Sequence, residues 1–522
     1  METKLILAID LGTSGPKVTL FTVTGEYIDD DFAHTGYTLL PSGGAEQDPE
    51  EWWQAIKIAS QNLLKRNKDK IADIEAVSIT GQWSGTVAVD KNGQHLMNAI
   101  NWMDSRGAEQ VKKITDGLIK IEGYGVSKVY HWLRRTGGIP MQAGKDPIAH
   151  ILFIKENLPD IYEKTYKFLE PKDFLNLKLT GEFISTYDTM VLHWVTDNRD
   201  INNIKYSDKL ISLSGIDGNK LPKMVDASEV IGTLSKKAAT ELGLPEKTKV
   251  IAGTPDINSA AIGSGAIDQK HAHIYIGTSS WLASYIPFKK TDIFHNIGAL
   301  PSALKGKYLI TNEQETAGEC INYLRDNVFF HKDGLNTVAP DDYYERINQL
   351  AGESPAGSNK LIFTPWLYGE RSPIEDNFVR GGFFNLSLQH NRRDMIRAVF
   401  EGVAYNNRWL LKYVEKIAGN QFEYINFIGG GARSDLWSQI LADVLQREIR
   451  QIERPLLANA RGAAFLASIG LGYMKVGDIS EKTKVKTSYQ PNLKNKSLYD
   501  ALFKEYLNIY KKNKGIYRRL NS

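Results

Sequence analysis

Apolar residues run almost unbroken through 4–9 (KLILAI) and again through 17–23 (KVTLFTV), with a Gly-rich turn at 12–15 between them. Short apolar runs bounded by turn residues predict buried strands. A second turn at Thr24-Gly25-Glu26 leads into EYIDDDFAH, read as a third strand. The segment DPEEWWQAIKIASQNLLKR then opens a helix, with Asp48 at the cap, Pro49 at the first helical position and Glu51 three residues after the cap. IEAVSITGQ at 74–82 predicts a further strand, and 158–181 mixes helical spacing with a glycine stop at Gly181.

The second half repeats this order. KVIAG at 249–253 predicts a strand into a turn, HIYIG at 273–277 a strand into Thr278-Ser279-Ser280, and WLASYI its return strand. Gly-Thr-Ser therefore stands twice at a tight strand-to-strand turn, about half the chain apart, as a duplicated unit requires. The expectation is two α/β lobes facing one cleft: residues 1–248, residues 249–476, and an amphipathic helical appendage at 477–522. The first boundary follows the polar stretch LGLPEKTK.

Length supports this division, because 522 residues exceed what one hydrophobic core usually serves. With 42% hydrophobic and 24% charged residues the chain has the composition of an ordinary globular protein. Lys and Arg total 64 against 61 Asp and Glu, a balance of +3 that gives no strong field toward nucleic acid or anionic lipid. The lone Cys320 makes neither an intramolecular disulfide nor a thiolate zinc site. The apolar run at the start is too short for a signal or a membrane span. A cytoplasmic protein without a nucleic-acid or membrane partner is expected.

Backbone N–H groups in a Gly-rich turn can cradle phosphate. In DLGTSGPK at 10–17, Gly12 and Gly15 let the backbone approach, Thr13 and Ser14 add hydroxyls, Lys17 adds charge, and Asp10 can hold Mg²⁺ through water. An ordinary hairpin, with Asp10 satisfying turn amides, is the competing reading. The turn is not a Walker loop, since G-x-x-x-x-G-K-[ST] does not occur. Gly277 and Thr278 offer the same chemistry from the other lobe. In INFIGGGARSDLW a strand enters Gly429-Gly430-Gly431, where bare backbone admits a flat ring, and Ser434 or Asp435 can cap the helix that follows. Asp256 ends GTPD at the close of a strand, placed either as a base facing the cleft or as a helix cap.

Taken in order, DLGTSGPK, GQWSG (81–85), WMDSR (102–106), FLEPKDFLNLKLTG (168–181), GTPD, IGTSS, GERSP (369–373) and IGGGARSDLW resemble the motifs of the FGGY carbohydrate kinases over 4–472. The resemblance implies a two-lobed actin/Hsp70/hexokinase-like, ribonuclease H-like fold with a duplicated βββαβα core. It also implies ATP with Mg²⁺ in the cleft, closure around a sugar, and phosphoryl transfer to a sugar hydroxyl. By position, Asp256 resembles the general base; Asp10, Thr13 and Lys17 the first phosphate and Mg²⁺ motif; and Gly277 and Thr278 the second. Gly430, Gly431, Ala432 and Ser434 fall on the adenosine loop, and Gln82, Trp83, Ser84, Trp102 and Asp104 on sugar-facing positions. A homodimer is left open.

The pattern is most similar to xylulokinases, from EQDPEEWWQA at 46–55 and from 369–405. Trp83 and Ser84 depart from the Met-His found there, Ile257 replaces the polar residue that follows the base, and His150 and Phe153 replace a Lys and a Trp. A ketopentose such as D-xylulose is the expected acceptor. Another ketose, a polyol or a sugar acid is the alternative within the family, and a nucleotide-binding sensor or chaperone-like ATPase the alternative outside it.

Overall fold

The first apolar runs form β1 (Leu5–Gly12), β2 (Gly15–Thr22) and β3 (Tyr27–Phe32), followed by helix α1 (Pro49–Arg66) and strand β4 (Ile74–Gly81). The computed structural model describes residues 4–121, 123–333 and 338–522. Helix α1 starts where Pro49 and Asp48 predict, with the Asp48 carboxylate accepting from the Glu50 N–H. Strand β5 (Val230–Thr233) and strand β6 (Lys249–Pro255) complete a six-stranded sheet in the order β5-β6-β4-β1-β2-β3. Strands β1, β4 and β6 run parallel, whereas β2, β3 and β5 are antiparallel to their neighbours. The aligned carboxyl ends of β1, β4 and β6 bring Asp10, Gly81 and Pro255 to one edge.

The strand at 249–255, which the sequence reading gives to the second lobe, thus lies in the first sheet. The polar LGLPEKTK stretch is a loop on the surface of that lobe, and its polarity reflects solvent contact rather than a lobe boundary.

Beyond α2 (Asp256–Gly263) the second sheet repeats the plan: β7 (His271–Ile276) pairs antiparallel with β8 (Ser280–Ala283) and parallel with β9 (Tyr424–Ile428). Helix α3 (Arg392–Ala418) precedes β9, and α4 (Asp435–Leu445) leads into the parallel β10 (Glu448–Ile452). After β8 the chain leaves for a separate four-stranded sheet between 285 and 311, so the duplicate shows two strands of its meander in this sheet. Helix α5 (Ala458–Gly470) corresponds to α2 by its place after the third parallel strand, and the two cross closely. A Cβ on Gly462 would lie 1.9 Å from the Ser259 carbonyl oxygen, and one on Gly263 would lie 1.8 Å from that of Ala458. Ser259 Oγ also donates to the Asn459 carbonyl at 2.7 Å. The small residues read as a packed helix start are therefore the contact between the lobes.

The C-terminal segment is more than a helical appendage. Strand β11 (Val485–Tyr489) adds the antiparallel edge to β10. Helix α6 (Lys496–Asn521) lies on α3 through buried tyrosines, with the Tyr499 hydroxyl donating to Glu401 Oε1 at 2.8 Å and that of Tyr506 to Asn406 Oδ1 at 2.9 Å.

Candidate active site

Asp10 lies two residues before the end of β1 and pairs in register with Lys17 on β2. Gly12 and Gly15 close the hairpin, and Gly15 has φ 135°, with a Cβ there meeting the Ala33 carbonyl oxygen at 2.0 Å. The turn conformation therefore requires glycine at 15, whereas Gly12 has room for a Cβ. Thr13 is half-buried and Ser14 exposed. Lys17 Nζ donates to the Leu456 carbonyl at 3.3 Å, reaching from the first sheet to the loop before α5. Among the described residues the Asp10 carboxylate has one side-chain hydrogen bond, a 3.5 Å contact from Asn459 Nδ2.

Asp256 is the first residue of α2, and its Oδ1 accepts from the next backbone N–H, that of Ile257, at 2.8 Å. It does not cap the helix: Pro255 holds the cap position. Burial, then the nearby Asp10 carboxylate, raise its pKa to about 7, with Glu313 adding to the effect. Burial likewise raises Asp10 to about 6, against the pull of Lys17 and Asn459. Two crowded carboxyls with little protein charge to offset them suit a bound cation and a proton acceptor. An oxygen-seeking ion held mainly by water and phosphate would fit beside Asp10, since among the described residues no cluster of three or more His, Cys, Asp or Glu could cage a metal.

The second turn sits on the other sheet at the end of β7. The Ala317 and Gly318 N–H groups donate to the Thr278 and Gly277 carbonyls, each at 2.9 Å. Thr278 is left exposed. A Cβ on Gly277 would lie 2.6 Å from the Tyr275 hydroxyl. That hydroxyl is pushed up to about 12 by burial and by the Asp256 and Asp10 carboxylates, which joins the second turn to the first electrostatically.

The glycine loop after β9 lies against the same strand end. Gly429 has φ 86°, and a Cβ on it would meet the Ile276 carbonyl oxygen at 2.6 Å. Gly431 is hemmed in by Ile276 and Phe427, so packing within the protein already demands glycine there. Gly430 is exposed, with its nearest neighbour in the Cβ direction 4.0 Å away, and is the open face of the loop. Ala432 is buried, with its carbonyl accepting from Gln451 Nε2 at 2.6 Å. Ser434 caps α4 by accepting from the Trp437 N–H at 2.9 Å, and its hydroxyl also bonds Asn348.

The positions expected to face the sugar divide sharply. Thr13 Oγ1 donates to Gln82 Oε1 at 3.3 Å and accepts from Trp102 Nε1 at 3.1 Å, so three predicted residues do meet. Gln82, however, is the hub of a buried network: Oε1 also accepts from Asn101 Nδ2 at 3.0 Å, and Nε2 donates to Gln47 Oε1 at 2.8 Å. Asp104 is 1% exposed and accepts from the Ala45 N–H and from Arg106. Both side chains therefore spend hydrogen bonds within the protein. Trp83 is 7% exposed and donates through Nε1 to the Thr189 carbonyl at 3.1 Å, as a core tryptophan does. Ile257 packs beside the same apolar cluster. Ser84 adopts φ 68° and donates to the Lys145 carbonyl at 2.8 Å.

Sequence reasoning assigned no role to several buried or half-buried charged residues. Arg371 pairs with Glu313 and Glu315, and Glu370 beneath it accepts from the Glu315 and Arg371 N–H groups at 3.0 and 2.9 Å. The GERSP match contained the signal, because a Glu-Arg pair between apolar segments needs partners when buried. Lys145 is half-buried, and its ammonium has no hydrogen-bond partner among the described residues. Burial, then nearby Arg371, lower its pKa.

Comparison with known proteins accords with this arrangement. Residues 5–263 match the N-terminal domain of the FGGY family of carbohydrate kinases, and residues 272–471 match its C-terminal domain. The chain is 30% identical over 527 residues to a xylulose kinase of Staphylococcus epidermidis, covering 99% of this chain and 98% of the relative. It is 28% identical over 450 residues to a gluconokinase of Bacillus subtilis, covering 86% and 84%. A solved gluconate kinase from Lactobacillus acidophilus superposes with a TM-score of 0.85 at 24% identity, covering 99% of this chain and 100% of that one. The chain belongs to the FGGY family of carbohydrate kinases and is a sugar-phosphorylating phosphotransferase.

Proposed function

We propose that the protein transfers the γ-phosphoryl of ATP to a hydroxyl of a ketopentose of the D-xylulose kind. The observation that carries the reading is Asp256, a half-buried carboxyl with a pKa of about 7 that follows the carboxyl end of β6, at the same edge of the sheet as Asp10. Such a group is deprotonated often enough near neutral pH to accept a proton and basic enough to hold it. The sugar hydroxyl attacks the γ-phosphorus, the bond to the bridging oxygen of ADP breaks, and the hydroxyl proton passes to Asp256.

The chain's other residues orient and neutralise. The backbone of 12–15 and of 277–278 cradles phosphate from two sides, Lys17 adds charge, and Gly430 gives the adenosine a bare surface. Asp10 would hold Mg²⁺ through water; when bound, the ion supplies positive charge at the β- and γ-phosphates. On the sugar side, the half-buried Thr13 and Trp102, the turn 83–85 and Ile257 shape the pocket, while Gln82 and Asp104 fix that wall from behind. We take the seam between lobes to fall at 264–271, between the two domain matches.

The full-length relatives named xylulose kinase support the ketopentose. A second reading, a sugar acid, has its own observation: the half-buried Lys145 ammonium without a partner among the described residues, near Arg371, could meet a carboxylate. Measuring kcat/KM with ATP for D-xylulose, L-xylulose, D-ribulose, L-ribulose, gluconate, glycerol and erythritol decides between them. D-xylulose should lead; gluconate ahead by about tenfold, about 1.4 kcal/mol of transition-state binding, would transfer the assignment to the sugar acid.

A further inference from the structure

Trp83, Ser84 and Gly85 form a turn held from three separate elements. Trp83 donates to the Thr189 carbonyl, Ser84 to the Lys145 carbonyl, and the Gly85 N–H to Glu170 Oε2 at 3.1 Å. The last contact spans 85 residues of sequence and is made by a carboxyl only 1% exposed. Glu170 occupies the cap position of the helix Pro171–Thr180, where a short polar side chain would accept from the helix's own N–H groups. Its side chain makes no such cap and turns across to the Ser84–Gly85 backbone instead. The turn also lies directly on this helix start, since a Cβ on Gly85 would meet Pro171 Cγ at 2.6 Å.

Ser84 keeps a left-handed backbone at φ 68°, a conformation that persists only where the surroundings impose it. We propose that Glu170 is the positioning residue that imposes it, fixing the turn 83–85 in the shape that receives the sugar. This rests on the reading that the turn faces the sugar. Burial, then the neighbouring Asp173 carboxylate, hold the Glu170 carboxyl well above the usual range, against the pull of Lys172. Among the described residues the second oxygen, Oε1, has no hydrogen-bond partner, and neither has His193 Nδ1 3.9 Å away. His193 stands three residues after Met190 in the same 187–194 segment whose Thr189 holds Trp83. Glu170 thus stands beside the segment that holds Trp83, and a shift of about 1 Å would bring Oε1 and Nδ1 within hydrogen-bond distance.

Steady-state kinetics of Glu170→Asp and Glu170→Gln test the assignment. Aspartate keeps the acid but withdraws the acceptor by one methylene; glutamine keeps both the reach and an acceptor oxygen. Glu170→Asp should raise the sugar KM at least tenfold and leave the ATP KM within twofold, and Glu170→Gln should restore the sugar KM to within about threefold of wild type. A sugar KM unchanged in Glu170→Asp, or both KM values rising together, overturns the proposal. Should Glu170→Asp fail to fold, amide hydrogen exchange on the wild-type enzyme decides: Gly85 must be protected and become more so with sugar, and free exchange with and without sugar overturns the proposal. The kinetics use whichever sugar is turned over, so a wrong substrate assignment leaves the test intact. A sugar KM unmoved in Ser84→Asn, which tolerates the left-handed backbone while lengthening the side chain, would instead fault the reading of the turn as sugar-facing.

Discussion

Replacing Asp256 by Asn keeps the shape of the side chain and removes its capacity to take a proton. Loss of a general base costs about 10²-fold or more in kcat, and sugar KM should change little because the amide still fills the position. The same residue carries a stability signature. Its folded pKa of about 7 lies above the ordinary 3.8, so the protein is penalised progressively as pH rises from about 4 through 7 and Asp256 ionises beside Asp10. The full shift would correspond to roughly 4 kcal/mol, and water at the half-buried carboxyl reduces this to about 1–2 kcal/mol. Asp256→Asn should therefore melt above wild type at pH 8 in the absence of ATP and Mg²⁺, with the gap shrinking as the pH falls toward 4. ADP release in a coupled assay and thermal melts at pH 5 and pH 8 measure both effects. Wild-type kcat/KM should also fall as pH drops from 7 to 6, since the protonated acid cannot accept the hydroxyl proton. A variant with near wild-type turnover, or with a melting difference independent of pH, would refute the reasoning.

Gly430→Val should raise the ATP KM several-fold and leave the sugar KM unchanged, because Gly430 alone of its triplet has open space where a Cβ would stand. Gly431→Val is a control of a different kind: it presses on Ile276 and Phe427 and should lower the melting temperature whatever nucleotide is present. Gly462→Ala drives a methyl group into the Ser259 carbonyl at the crossing of α2 and α5 and should cost roughly 1–3 kcal/mol, read as an earlier denaturation midpoint.

The two-lobed plan was legible because duplication leaves the same Gly-Thr-Ser turn at two strand ends and because the strands of parallel sheets are nearly continuous apolar runs. The lobe boundary was misread for a physical reason: a polar loop ahead of β6 looks the same whether it joins two lobes or returns within one, and only the pairing of β6 with β4 distinguishes them. Asp256 stood out through its place at a strand end. Gln82 and Asp104 carried the right chemistry for sugar hydroxyls, but sequence shows no hydrogen-bond partners, and Gln47, Asn101 and Arg106 claim much of that capacity. Glu170 left a faint trace, a long acid just ahead of Pro171 where Ser, Thr, Asp or Asn would serve a helix better. The glycines at 429–431 read alike in sequence and differ in space: two answer to packing within the protein, and one faces outward.

Phosphoryl transfer to a sugar rather than to water is the central claim, and product analysis tests it most directly. Incubating the protein with ATP, Mg²⁺ and D-xylulose and following the phosphorus by nuclear magnetic resonance should show one equivalent of a xylulose phosphate ester for each ADP formed, with negligible inorganic phosphate. ADP accompanied only by inorganic phosphate, with D-xylulose and with every other sugar, polyol and sugar acid of the panel, would contradict the account.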